Sequence, residues 1–218
     1  MNIVIFGPPG AGKGTQSDFI VSKYNLFQLS TGDILRQEIK NKSEVGLKIQ
    51  KIINSGNLVS DDTVDRLVEN IISDKKYKSR IIFDGYPRNL SQAKALDELL
   101  IKYKQKIDLA LNLMTQLETI KKRISGRFSC SKCGKIYNEF FNLPSTKDDC
   151  CSKKSLIKRD DDNVDVAIKR FETYKKQTEP VLDFYKKKKL LKEVNGESSI
   201  DKTYKEISDI IDLIEAWL

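Results

Sequence analysis

The sequence predicts an α/β chain with a P-loop three-layer fold: a five-stranded parallel sheet, helices on both faces, and two smaller insertions. Three observations carry that expectation. First, an apolar, β-branched run, NIVIF at 2–6, ends on the glycine-rich loop GPPGAGKGT at 7–15 and passes into a helical pattern from 13 to about 24, the strand–loop–helix context a P-loop requires. Second, four further short apolar runs, at 26–29, 80–83, 107–113 and 190–194, are separated by helix-length periodic segments, and strands alternating with helices argue for a parallel sheet. Third, residues 31 to about 59 hold helical pieces without a strand, and residues 127 to about 163 are rich in Cys, Gly, Pro and polar residues with little periodicity. Both read as excursions from the core, which leaves 1–29, 60–126 and 164–218 as the core, with insertions at 30–59 and 127–163.

Taken in order, the loop comes first. The pattern G-x-x-x-x-G-K-[ST] is met by Gly7, Gly12 and Lys13, while Gly14 stands where Ser or Thr is usual and Thr15 follows one place later. Successive backbone N–H groups and the following helix N-terminus surround a phosphate with positive partial charge, and Lys13 reaches the terminal phosphates of a nucleotide. A plain Gly/Pro turn would explain the glycines but not Lys13 and Thr15 at this spacing. In RIIFDGYPRN, Asp84 ends a strand and faces the same sheet edge as the loop, where a carboxylate can bind Mg²⁺ through water. Asp-Gly is also ordinary turn chemistry, and Arg88 four residues on favours the functional reading. Near the C-terminus, Ile207, Ile210, Ile211, Ile214 and Trp217 fall on one helical face, which fits a helix closing the sheet better than a docking helix. The KKKK run at 186–189 reads as a solvated helix end.

Composition narrows the class. Of 218 residues 39% are hydrophobic and 32% charged, a globular balance that argues against disorder. The net charge of +8 and pI near 9.1 fit nucleic acid, an anionic surface or a polyphosphate, and equally a Lys-rich solvated surface. Lys is the default cation; the arginines are only Arg36, Arg66, Arg80, Arg88, Arg123, Arg127, Arg159 and Arg170. Each is therefore a position to question, because the planar guanidinium binds phosphate oxygens bidentately. The N-terminus lacks a basic segment followed by an apolar signal run, and no segment approaches a membrane span, so a cytoplasmic protein is expected. Cysteines at 130, 133, 150 and 151 then favour a metal site over disulfides.

GPPGAGKGT with its Gly14, STGDILR at 30–36, FDGYPRNLSQ at 83–92, GR at 126–127, and a late R-x-D-D followed by Lys169 and Arg170 resemble the adenylate kinase family, in order and along nearly the whole chain. A loop ending Gly-Lys-Gly-Thr is the nucleoside monophosphate kinase form, which accounts for Gly14. The resemblance implies an AMP-binding insertion at 30–59 and a lid at 127–163 that closes over ATP. It implies ATP contacts from Gly10, Ala11, Gly12, Lys13, Gly14, Thr15, Arg127, Ile136, Tyr137 and Glu197. It implies an AMP site of Thr31, Arg36, Asn57, Leu58, Val59, Gly85, Tyr86, Pro87, Arg88, Gln92, Arg159 and Arg170. Gln92 takes the adenine-reading position, where an amide offers a donor and an acceptor together. Lys13, Arg36, Arg88, Arg123, Arg127, Arg159 and Arg170 match phosphate-handling positions, and Asp161 and Asp162 match paired lid carboxylates. ATP, AMP and ADP are the implied partners, without nucleic acid or membrane, and the implied state is a monomer.

Phosphoryl transfer needs positioning and charge neutralisation more than covalent catalysis, so the absence of histidine is no objection. The cysteines are a separate question. CSKCG gives two thiolates at the spacing of half a structural zinc site. Zinc-bearing members of the family resemble this lid, but their second pair keeps two residues between ligands, whereas here it reads DDCCS. Cys130, Cys133, Cys150 and Cys151 are the expected zinc set, with Asp148 or Asp149 able to replace one thiolate; the alternative is a lid whose thiols bind nothing. Two other functions stay open: a kinase for UMP or CMP, which shares the loop and the arginines, and a nucleic-acid-dependent P-loop ATPase, which leaves the monophosphate-side arginines unexplained.

Overall fold

The structure, a computed structural model, describes residues 1–54, 59–144, 153–159 and 162–216. The chain runs β1 (Ile3–Phe6), α1 (Lys13–Tyr24), β2 (Phe27–Ser30), α2 (Thr31–Lys40), α3 (Glu44–Asn54), α4 (Asp61–Ile72), β3 (Ile81–Asp84), α5 (Leu90–Lys102), β4 (Leu109–Met114) and α6 (Leu117–Ser125). It continues through β5 (Arg127–Cys130), β6 (Ile136–Asn138), β7 (Leu156–Ile157), α7 (Val164–Thr173), α8 (Glu179–Lys187), β8 (Leu191–Asn195) and α9 (Ile200–Glu215). The strands β2, β3, β1, β4 and β8 lie in that order in one sheet, every pair parallel. The five apolar runs are its five strands, each displaced from the sequence expectation by no more than a residue or two.

Alternation along the strands explains why both faces are covered. Val4, Phe6, Phe83 and Ala110 point to one face and pack with Val64 and Val68 of α4, Leu96 and Leu100 of α5, and Val181 and Tyr185 of α8. Ile3, Ile5, Ile82, Leu109 and Leu111 point to the other and pack with Ile20 of α1 and Ile207 and Ile211 of α9. All of these are buried, and each large side chain so placed contributes about 1.5–3 kcal/mol relative to exposure. A strand buried on both faces cannot show the polar/apolar alternation of a half-exposed one, which is why these strands appear as unbroken apolar runs. In α9, Ile210 and Ile214 complete the apolar stripe; Trp217 lies outside the described residues.

The insertion after β2 is helical, as expected, with α2 and α3 forming its walls. The segment after α6 holds more order than its composition announces: β5 pairs antiparallel with both β6 and β7 in a three-stranded sheet. Its strands are four, three and two residues long, too short to display a period in a Lys- and Ser-rich stretch. Cys130, Tyr137 and Leu156 form its small apolar centre. Among the described residues no helix is long and apolar enough to cross a membrane.

Candidate active site

The sheet register decides where chemistry gathers. Ile5 of β1 lies beside Asp84 of β3, and Asp84 lies beside Ser30 of β2, so three strands end together and their loops open on one edge. The loop after β1 closes with Ala11 N–H donating to Pro8 O at 3.0 Å. Gly12 then turns the chain at φ 99°, in the left-handed region that favours glycine, and stands at the N-terminus of α1 with no side chain to cap the helix amides. Lys13 folds back over the loop, its Nζ donating to Gly7 O at 2.7 Å and Pro8 O at 3.2 Å. Burial pushes the Lys13 ammonium down to about 8; Asp84 opposes this, while Arg88, Arg170 and Arg127 reinforce it. Burial likewise raises the Asp84 carboxyl, with Lys13 pulling the other way. An ammonium held in carbonyl contacts among three guanidinium groups is short of negative charge, and a polyphosphate supplies it.

That edge opens into a cleft of about 1060 Å³, large for a single small ligand. Arg36, Arg88, Arg123, Arg127, Arg159 and Arg170 all line it. Arg123 is braced against the loop, donating to Ala11 O at 2.9 Å and to Gly196 O at 2.8 Å. Arg88 is half-buried, with Nε donating to Gly85 O at 2.7 Å, and burial together with Arg170 lowers its pKa. The arginines of the 127–163 segment are held by carboxylates instead. Arg127 forms an ion pair with Asp162, Nε to Oδ2 at 2.9 Å, and the Asp162 side chain has no exposed surface. Arg159 donates to Ser129 Oγ at 3.2 Å and lies 3.9 Å from Asp33 across the cleft, on the other insertion. Burial would raise Asp33, but the neighbouring guanidinium of Arg36 outweighs it and the net shift is downward.

A smaller recess opens from the same edge, lined by Thr31, Val59, Gly85, Arg88 and Gln92 among others. Thr31 Oγ1 donates to Gly85 O at 2.8 Å. Gly85 sits at φ 79°, and a Cβ there would come within about 3.1 Å of Thr31 Oγ1 and 3.0 Å of Arg88 Nη2, so the turn holds the two side chains at its sides only because it carries none. Gln92 is buried in the first turn of α5, capped by Asn89.

A family model described as "Adenylate kinase" matches residues 5–190. The adenylate kinase of Pelagibacter ubique is 46% identical over 211 residues, covering 97% of this chain and 99% of that protein. Those of Acetivibrio thermocellus and Paramagnetospirillum magneticum are 45% and 42% identical, each covering at least 95% of both chains. The chain belongs to the adenylate kinase family. It is therefore a phosphotransferase.

Gly10, Ala11, Gly12, Lys13, Gly14, Thr15, Ile136, Tyr137 and Glu197, singled out from the sequence, all line the main cleft of this adenylate kinase fold, as do Asp84, Gly85, Pro87 and Val59. Thr31 and Gln92 line the smaller recess. Tyr86 is placed differently: it is buried in the core behind the recess, its hydroxyl donating to Asp65 Oδ1 at 2.7 Å. Asp162 pairs with Arg127 and does not itself line the cleft. Asn57, Leu58, Cys150, Cys151 and Asp161, with the alternatives Asp148 and Asp149, lie outside the described residues. Cys130 is buried at the end of β5 and Cys133 is exposed in the turn that follows. Among the described residues no group of three or more His, Cys, Asp or Glu is gathered to hold a metal.

Sequence reasoning passed over Phe140, Phe141 and Asp33. The two phenylalanines are exposed on the cleft rim, and Arg123 stands 5.8 Å from the Phe141 ring. An aromatic doublet in an otherwise polar insertion was the available signal. Asp33 gave none, because its role depends on Arg159 arriving from a segment 126 residues away.

Proposed function

We propose that the chain transfers the γ-phosphoryl group of Mg-ATP to AMP, reversibly, giving two ADP. The observation that supports this most is the arginine distribution: in a Lys-rich chain, all six arginines matched to phosphate positions line one cleft, while Arg80 instead holds Asn25 O at 3.0 Å. On this reading the loop and Lys13 take the ATP phosphates, Arg36 and Arg88 take the AMP phosphate, and Arg123, Arg127, Arg159 and Arg170 neutralise charge spreading over the group in transit. The AMP phosphate is itself a nucleophile near neutral pH, so no protein base is required. The lid at 127–163 and the insertion at 30–59 exclude water from the reacting groups. The half-buried Asp84 carboxylate, beside Lys13 in a cleft otherwise rich in cations, fits a water-mediated Mg²⁺ ligand. Bound there, the ion would offset the charge of the nucleotide phosphates.

The same reading gives a monomer working in the cytoplasm on small molecules, and a lid holding structural zinc. In support of zinc, the Cys130–Cys133 pair is wound into a tight turn: Gly134 N–H donates to Cys130 O at 2.8 Å and Cys130 N–H donates to Lys135 O at 2.9 Å. Such a turn suits two thiolates converging on one ion, and Cys150 and Cys151 would complete the set. Zinc content of protein purified without added metal checks it. The reaction is tested with Mg-ATP and a panel of AMP, GMP, CMP and UMP. ADP formation with AMP alone is expected; preferred transfer to UMP or CMP would move the chain to another monophosphate.

A further inference from the structure

The contacts of Gln92 bear on base selection, which the phosphate groups do not explain; the inference rests on the proposed reading of Gln92 as the base-facing residue. Its side-chain amide is held on two sides. Oε1 accepts from the backbone N–H of Arg88 at 2.7 Å, and Nε2 donates to Asp61 Oδ1 at 2.7 Å. Both contacts favour the same orientation, and the lock depends on the two acting together. A backbone N–H has only a proton to give and a carboxylate oxygen only lone pairs to offer, so an amide turned over would set NH₂ against N–H and C=O against carboxylate. Asp61 is fixed in turn by Asn89, whose Nδ2 donates to its two oxygens at 3.0 and 3.1 Å, while Asn89 Oδ1 accepts from Gln92 N–H at 2.8 Å and caps α5. The ring closes on itself.

We propose that Asp61 is a positioning residue that locks the Gln92 amide in one of its two orientations. The recess then reads a base edge with a ring acceptor beside an amino donor, as in adenine, and refuses the reversed edge, N–H beside carbonyl, as in hypoxanthine. The amide keeps one N–H on Nε2 and one lone pair on Oε1 for the ligand. An unrestrained glutamine would turn over and read either base. A locked one meets hypoxanthine with donor against donor and acceptor against acceptor, and polar groups left unpaired in a buried site discriminate strongly.

The test is kcat and KM for AMP and for IMP in the wild type, Asp61→Asn and Gln92→Leu, with thermal melts on each. Asp61→Asn keeps the size of the side chain but can face Gln92 with either an oxygen or an amino group. It is expected to lower the AMP/IMP ratio of kcat/KM by about tenfold, with the value for IMP itself rising. A merely structural role would lower both nucleotides together and leave the ratio alone, and that result overturns the lock. Asn89→Ser, which retains a helix cap while releasing Asp61, is expected to move the ratio the same way by less, and it decides the matter should Asp61→Asn not fold. Gln92→Leu separates the lock from the reading beneath it. A ratio that collapses with Leu but not with Asn at 61 leaves the reading standing and the lock overturned, whereas a ratio unchanged by Leu overturns both. Wild-type protein that forms no ADP from AMP would sink the proposed function itself.

Discussion

The two halves of the cleft hold their cations by different means. On the sheet side, Lys13 and Arg123 are braced by main-chain carbonyls, those of Gly7, Pro8, Ala11 and Gly196. On the insertion side, Arg127 and Arg159 face carboxylates, Asp162 and Asp33. A carbonyl is fixed by the strand or loop that carries it and stays in place when a phosphate arrives. A carboxylate is a rival anion, which keeps a charged side chain ordered in the free protein but competes with the substrate for it. The sheet side is thus built before the ligand comes, and the insertion side is built around a contest that the ligand must win.

Removing the sheet-side charge should have the largest effect. Lys13→Met is expected to lower kcat/KM by about 10²–10³-fold, the range for deleting one group aimed at developing charge. The melting temperature should hold or rise, because the lost ammonium is one that burial disfavours. A loss below tenfold would show that the two halves share the load evenly. Next in size is a packing contrast. Leu111→Ala in the sheet core should cost about 2–5 kcal/mol and lower the main thermal transition. Leu156→Ala in the small apolar centre of the 127–163 segment should raise KM for ATP several-fold while leaving that transition nearly in place. If both lower it equally, the lid and core unfold as one unit.

The pH dependence sharpens the contrast further. With Lys13 at about 8 in the ligand-free protein, about half of it is uncharged at pH 8 and almost none at pH 6. Bound phosphate favours the ammonium, so ATP binding at pH 8 should take up about half a proton through Lys13, and through it almost none at pH 6. Calorimetry in buffers of differing ionisation enthalpy reads this directly, and Lys13→Met should abolish it. The smallest effect is expected from Asp33→Asn. Its side chain is 60% exposed, and pairs of that kind contribute about 0–1 kcal/mol, so KM for either nucleotide should move less than about threefold. A larger change would mean that the bridge to Arg159 governs closure.

The same division explains what could be read from the sequence. Strand, loop and helix around residues 3–24 were legible because each depends on its own neighbours: an apolar run, glycines at fixed spacing, a lysine entering a helix. The arginines were legible because lysine served everywhere else. The small sheet of residues 127–157 was not, since β5, β6 and β7 each span no more than two periods of alternation, and their pairing is long-range. Asp33 and Asp61 were missed for a related reason. An acidic residue near a helix start has a local explanation already, in the favourable charge it brings to the first turn, and nothing in one sequence distinguishes that from a tertiary contact. Asp162 was found only because the resemblance supplied it.

Most consequential for the resting enzyme is the bare start of α1. Helices α2, α5, α7 and α9 each begin with a side chain that accepts a hydrogen bond from an amide of the first turn, from Ser30, Asn89, Asn163 and Ser199. Helix α1 begins at Gly12 with no such bond. Helices α4, α6 and α8 also begin without such a bond, but the start of α1 opens on the cleft, where a phosphate can complete it. Nucleotide occupancy would then be recorded in the backbone itself, as slower hydrogen exchange at the open amides of residues 13–15, and ATP supply would set how well that helix start is protected.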